Sequence, residues 1–290
     1  MSSASAAPAG RFIRVGRARV HFVQRGEGRP VLLLHGNGAT WRDFEVSGLM
    51  DALAATYRVT AFDRPGFGHS SRPFWRRWTA AAQAELLMQA ARRLGIERPL
   101  VLGHSWGALV ALHAAIAWPG EVAGAVLVSG YYMPTRRADV ALLSIPGLPV
   151  IGRLISYTVL PRLARQYAPE AVRRIFAPDP VPERFRQAFR GEVALRPSQL
   201  HASSQDNWVL NASAAAAQRG LGRIAAPVAI IAGSADAIVP TERQSVPLHR
   251  RLPGSRLRLL QGHGHMVHYF AVEEIAQEVA AVEELACRTI

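Results

Sequence analysis

Short apolar runs alternate along this chain with longer amphipathic ones. Val31–Leu34, Pro99–Leu102, Val122–Val128 and Pro227–Ala232 are continuously apolar or nearly so, the mark of strands buried on both faces. Arg58–Phe62 and Arg256–Leu260 read as further strands. Phe44–Leu53, Thr79–Leu94, Ala108–Ala117 and a stretch after Pro240 read as helices between them. Thr79 can cap its helix and Gly95 stops it, and proline at 119 stops the next. A last helix carries Val272, Ile275, Val279, Val282 and Leu285 on one face, with glutamates opposite. At the start, Arg11–Val15 and Arg19–Gln24 alternate apolar and polar around Gly16 and predict a hairpin. Strands alternating with helices predict an α/β fold: a mostly parallel sheet with right-handed crossovers and helices on both faces.

The alternation stops at Ser129-Gly130 and resumes near 218. Residues 131–217, rich in proline, arginine and aromatics, are predicted to form a helical lid inserted into a core of 11–130 and 218–290. Residues 1–10 are small and polar, predict disorder, and lack the apolar run of a signal peptide. Ala138–Leu160 is strongly apolar, but Pro146, Pro149 and Arg153 argue against a membrane-spanning helix. An apolar wall over a pocket is the expected role, with weak contact to a lipid interface as the alternative.

One turn concentrates the chemistry. Gly103-His104-Ser105-Trp106-Gly107 lies between a predicted strand and a predicted helix. That is the setting of a nucleophile elbow, in which a strained turn lifts a serine hydroxyl clear of the sheet. Glycines two residues to either side allow backbones to pack where a Cβ would clash. The helix start presents N–H groups beside the hydroxyl.

Composition narrows the possibilities. All 34 basic residues are arginine, against 21 acids, for a net charge of +13. Without lysine there is no Ser–Lys dyad, no Schiff base and no P-loop lysine. The excess is spread out: 15 arginines against 8 acids over 1–130, 11 against 6 over 131–217, and 8 against 7 over 218–290. No clustered patch or nucleic-acid module stands out, so no nucleic-acid partner is expected. The single cysteine, Cys287, excludes an internal disulfide and a cysteine-rich metal site. A reducing compartment, the cytoplasm, is the expected location. No metal-ligand cluster is evident, and neither metal nor cofactor is expected.

A serine hydroxyl needs a base within reach and the base needs an orienting group. Asp236 follows Ser105 by 131 residues, just past a predicted strand, and His265 comes 29 residues later in a glycine-punctuated loop past the next strand. With His35-Gly36-Asn37-Gly38, the Asp63–Ser70 turn, Gly233–Pro240 and Gly264-His265, the chain resembles the α/β-hydrolase superfamily, in its serine-nucleophile, lidded, esterase- and haloperoxidase-like branch. The resemblance runs from residue 31 to 268. It implies Ser105 as nucleophile, His265 as base and acid, Asp236 as orienting carboxylate, and the N–H groups of Trp106 and Asn37 as an oxyanion hole. Asn37 and Trp106 are also similar to residues of haloalkane dehalogenases and epoxide hydrolases, but those reactions use a carboxylate nucleophile, and position 105 is serine.

Other candidates take supporting roles. Among three neighbouring histidines the family pattern selects His265, and His268 is expected to line or support the pocket, as Tyr131, Met133 and Trp208 could. His104 and His113 are expected to pack, His35 to hold the oxyanion loop, and Asp63 and His69 to fix their turn. Asp139 and Asp206, away from any strand end, are expected to be surface charges. The resulting expectation is a serine carboxylesterase acting on a small to medium apolar ester through an acyl-enzyme. The same triad would serve a lipase, lactonase, thioesterase, C–C bond hydrolase or cofactor-free haloperoxidase. A non-catalytic receptor or assembly factor on the same fold is the alternative from another class. The oligomeric state is left open.

Overall fold

The computed structural model describes residues 9–135, 142–148, 151–189 and 191–288. Most of the predicted disordered start, residues 1–8, lies outside them, as do Asp139 and parts of the apolar stretch at 138–141 and 149–150.

Eight strands form one sheet in the order β1-β2-β4-β3-β5-β6-β7-β8. They are β1 (Arg11–Val15), β2 (Ala18–Arg25), β3 (Pro30–Leu34), β4 (Arg58–Phe62), β5 (Leu100–His104), β6 (Gly124–Val128), β7 (Val228–Gly233) and β8 (Arg256–Leu260). The first two pairings are antiparallel and the rest parallel. Side chains alternate between faces as strand geometry requires. Leu32, Leu34, Val101, Ala125, Leu127 and Ile230 join one core. Their neighbours Val31, Leu33, Leu102, Val126, Val128 and Ile231 join the other.

Helices α3 (Ala80–Arg93) and α4 (Trp106–Ala117) cover the first face. Thr79 caps α3 as expected, its hydroxyl accepting from the Ala82 N–H at 3.2 Å. Helix α4 begins at Trp106, two residues earlier than its apolar run suggested, because the turn at Ser105 feeds straight into it. The second face is covered by α1 (Arg42–Val46), α2 (Leu49–Ala54) and the C-terminal helix, Val272–Arg288. The single helix expected over 44–53 is thus two: Gly48 takes a left-handed φ of 82° and breaks the ladder.

Between β6 and β7 the chain is helical: α5 (Ile151–Thr158), α6 (Leu160–Phe176), α7 (Glu183–Ala188), α8 (Gly191–Ala194) and the long α9 (Pro197–Gly220). After β7 come α10 (Ser245–Arg251), β8 and α11, the C-terminal helix. No helix among the described residues is long and apolar enough to cross a membrane.

The turn at the end of β5 admits only glycine at two places. A Cβ on Gly107 would stand 1.9 Å from the Leu34 carbonyl oxygen, and one on Gly103 2.1 Å from that of Gly107. Both obstacles are backbone, so neither can swing aside. Gly107→Ala should therefore cost about 3 kcal/mol. In a chain of this size that lowers the melting midpoint by roughly 6–12 °C, measurable by circular dichroism.

Candidate active site

Parallel strands bring their carboxyl ends to one edge, and the chain delivers its chemistry there. Past β5, Ser105 adopts φ 54° and ψ −117°, a conformation L-residues rarely occupy. Its N–H is held by the Val128 carbonyl of β6 at 2.8 Å. Past β7, the Asp236 Oδ1 accepts from the N–H groups of Ile238 and Val239 at 2.9 and 2.8 Å. Past β8, the loop carrying His265 is pinned by Asp179, whose carboxylate bonds the His263 ring and the Gly264 N–H, each at 2.9 Å.

The three side chains meet. His265 Nδ1 lies 2.7 Å from Asp236 Oδ2, and His265 Nε2 lies 3.0 Å from Ser105 Oγ. A buried carboxylate can only accept. Nδ1 therefore carries the proton, and Nε2 presents its lone pair to the serine hydroxyl.

The loop after β3 passes directly over Ser105. A Cβ on Gly36 would stand 3.3 Å from that of Ser105 and 3.1 Å from the His104 ring. Asn37 follows. Its side-chain amide donates to Asn207 Oδ1 at 3.0 Å and to the Ser203 carbonyl at 3.3 Å, both on α9. The Trp106 N–H opens α4, where a helix leaves its first amides without an intrahelical acceptor. Asn37 Oδ1 and Trp106 Nε1 are buried without a partner among the described residues.

Behind this loop is a network that the sequence did not reveal. Arg64 is wholly buried. Its guanidinium donates to the carbonyls of His35 and Gly36 at 2.8 and 3.0 Å, to Gln83 at 2.6 Å and to Asp206 Oδ2 at 2.7 Å. Asp206 Oδ1 accepts from Arg72 and Gln83, each at 2.9 Å. Asp206 is therefore not a surface charge: it is fully buried and holds two arginines. Its position on α9 gave a usable signal, four residues from Ala202 and from Leu210 on the buried stripe of that helix. Burial pulls the Arg64 pKa down to about 10, against the pull of Asp206.

His35 is buried beside Arg64. Its Nδ1 donates to the Gly36 carbonyl at 2.8 Å and its Nε2 accepts from the Arg64 N–H at 2.9 Å. Burial, with the charge of Arg64, pushes its pKa down to about 3. The unfolded chain therefore takes up a proton here that the folded chain refuses between about pH 6.5 and 3. This contribution to stability is complete above pH 6.5 and declines as the pH falls through that window. At pH 5 the loss is about 2 kcal/mol. Urea unfolding at pH 7 and pH 5 should show it, and His35→Asn should shrink the pH-dependent difference by about that amount.

His104 and His268 stack at 4.2 Å between ring centroids. His104 donates from Nε2 to the His265 carbonyl at 3.1 Å, and burial holds its pKa well below the ordinary value. His268 bonds Asp43 at 3.0 Å, and the Tyr269 hydroxyl donates to the same carboxylate at 2.8 Å. Asp43, His104 and His268 each place one potential ligand atom within 4.8 Å of the others. The sequence showed no such group, because its members lie on α1, on β5 and beyond β8. Despite burial, Asp43 is held down to about 2 by His268.

The remaining candidates are scattered. The Tyr131 hydroxyl bonds Asn211 of α9 at 2.8 Å and Thr135 at 2.7 Å. Met133 is half-buried against the core, its N–H donating to Gln244 at 2.7 Å. Trp208 is 53% exposed. His113 packs in α4 and bonds the Ser213 carbonyl at 3.0 Å. Asp63 holds its turn through the His69 N–H at 3.0 Å and the His21 ring at 2.8 Å.

An open α/β sheet with a serine elbow on its carboxyl edge defines a hydrolase-type scaffold. The sequence profile of the alpha/beta hydrolase fold matches residues 29–272, and the chain belongs to that family. It is similar to haloalkane dehalogenase 2 of Mycobacterium tuberculosis, 33% identical over 124 residues. That match covers 43% of this chain and 43% of that protein, so the chain spans less than half the length of this relative. It is 29% identical over 269 residues to the magnesium-chelatase 30 kDa subunit of Rhodobacter capsulatus, covering 86% of this chain and 85% of that one. Among solved structures, bromoperoxidase from Bacillus anthracis shares the fold with a TM-score of 0.77 at 22% identity. That superposition covers 95% of this chain and all (100%) of the other.

Proposed function

We propose that this chain is a serine hydrolase that cleaves a small to medium apolar carboxylic ester through an acyl-enzyme on Ser105. The observation that carries the reading is the continuous path from Ser105 Oγ to His265 Nε2 at 3.0 Å and from His265 Nδ1 to Asp236 at 2.7 Å. As Oγ attacks the ester carbonyl, its proton passes to Nε2. The imidazolium that forms is stabilised by the Asp236 carboxylate. The tetrahedral oxyanion is received by the N–H groups of Trp106 and Asn37. Collapse expels the alcohol, which takes the proton from Nε2. Water then enters and gives a proton to the same nitrogen as its oxygen attacks the acyl carbonyl; collapse breaks the bond to Ser105 Oγ, which takes that proton back as the acid leaves. A donor of the Trp106 or Asn37 kind contributes about 2.7–4 kcal/mol to lowering such a barrier.

An alkyl-enzyme ester, the intermediate of dehalogenation, requires a carboxylate where this chain has Ser105. In this reading the helices between β6 and β7 serve as the lid, with His268 supporting the site and Tyr131, Met133 and Trp208 as candidate pocket residues. The test is turnover of p-nitrophenyl esters of increasing chain length, together with labelling by a fluorophosphonate. Saturable turnover with a preference for medium chains is expected; absence of both turnover and labelling would overturn the reading. That outcome would instead support a non-catalytic subunit, the second reading, favoured by the similarity to the magnesium-chelatase subunit over most of both chains.

A further inference from the structure

The corner where α5 meets α6 carries an apolar face left exposed by the described residues. Leu154 and Tyr157, three residues apart on α5, are 66% and 50% exposed. Val159, Leu163 and Tyr167 recur at four-residue intervals across the junction and along α6, and all three are exposed. Side chains at that spacing form one stripe on a helix. Tyr157, Thr158, Val159, Arg162 and Leu163 enclose a groove of about 490 Å³, so the α5 and α6 side chains form a shared surface. Soluble monomers rarely leave apolar patches of this kind uncovered.

The charges along these two helices are positive in excess. From 151 to 176 the chain carries five arginines and a single acid, Glu170, and that acid is bonded to Arg173. Arg153 lies over the Tyr157 ring at 5.8 Å, and Arg162 lines the groove itself. Apolar and tyrosine side chains flanked by guanidinium groups match the surface of a bilayer that contains acidic phospholipids. The aliphatic groups enter the acyl boundary while the arginines meet the phosphates. A second copy of this chain would bring the same positive face against itself, an arrangement that like-charge repulsion opposes.

We propose that the α5–α6 face docks on the surface of an anionic phospholipid bilayer. The patch reaches the site through its own helix. α6 ends at Phe176, which is buried against Tyr269 and Phe270 behind the His265 loop. The docking proposal stands apart from the assigned reaction, since binding needs none of Ser105, Asp236 or His265.

Flotation of the full chain with vesicles of phosphatidylcholine alone, or of phosphatidylcholine with phosphatidylglycerol, tests it. Binding is expected with the anionic vesicles only and should weaken as salt rises. The double variant Leu163→Asp, Tyr167→Asp should abolish it. Arg153→Gln with Arg162→Gln should lower partitioning about thirtyfold. Both variants should keep the wild-type far-ultraviolet spectrum, melting midpoint and rate on a short, water-soluble ester. Failure of the wild type to float with anionic vesicles, equal flotation with neutral ones, or binding insensitive to the Asp pair would overturn the proposal. So would a concentration-dependent dimer in light scattering that the Asp pair dissolves, which would assign the face to a second copy. Loss of ester turnover with intact flotation would count against the reaction and not against the docking face.

Discussion

Ser105→Ala will lower kcat on p-nitrophenyl esters by about 10⁶-fold while leaving the fold intact. The size follows from the unit character of the site. Once Oγ is gone there is no atom for His265 to deprotonate and none to carry the acyl group. Removing His265 as well should therefore add little to the loss. Stability should move the other way or not at all. Ser105 is held at φ 54° by the backbone around it, and such strain costs of order 1–3 kcal/mol. Ser105→Gly, free of that strain, should melt above the wild type while being equally inactive. Stopped-flow or plate kinetics, fluorophosphonate labelling and thermal melts measure all three. Residual turnover within tenfold of wild type in Ser105→Ala would dismiss the acyl-enzyme.

The second large effect concerns stability. Asp206→Ala should cost about 3–5 kcal/mol, because it leaves two buried guanidinium groups, Arg64 and Arg72, without their counter-charge. Asp206→Asn should recover part of this through its bond to Gln83, but not the charge. The damage should also reach the reaction. Arg64 donates to the carbonyls of His35 and Gly36, so a displaced guanidinium frees the loop that lies over Ser105. Urea unfolding gives the stability, and kcat measured under native conditions gives the positioning effect. A stability loss below 1 kcal/mol in Asp206→Ala would show that water or rearrangement satisfies the arginines.

The strands and the approach of Ser105, Asp236 and His265 were legible because each is announced locally. An apolar run ends, glycines follow, and parallel pairing brings every such ending to the same edge. Asp206 was not legible, because its partners lie 142 and 134 residues away in the chain. A charge far from any strand end reads as solvated unless its helical neighbours are examined. Asp43 and Asp179 escaped for the same reason: one bonds His268, 225 residues on and beyond β8, and the other pins a loop 84 residues further on. The split of the 44–53 helix escaped for a different one. Gly48 leaves the apolar periodicity undisturbed while its backbone turns left-handed.

The segment between β6 and β7 is anchored very unevenly. Helix α9 grips the loop over Ser105 through Ser203 and Asn207, and through Gln199, which bonds the Gly38 carbonyl at 3.2 Å. The stretch from 176 to 184 is fastened to the His265 loop by Phe176, Asp179 and the bond from Arg184 to the Tyr269 carbonyl. While Val172 and Ile175 pack against the Phe176 cluster, 142–148 and 151–171 enter neither set of contacts among the described residues. A designer could graft that portion from another scaffold and leave the contacts among Ser105, His265 and Asp236 untouched.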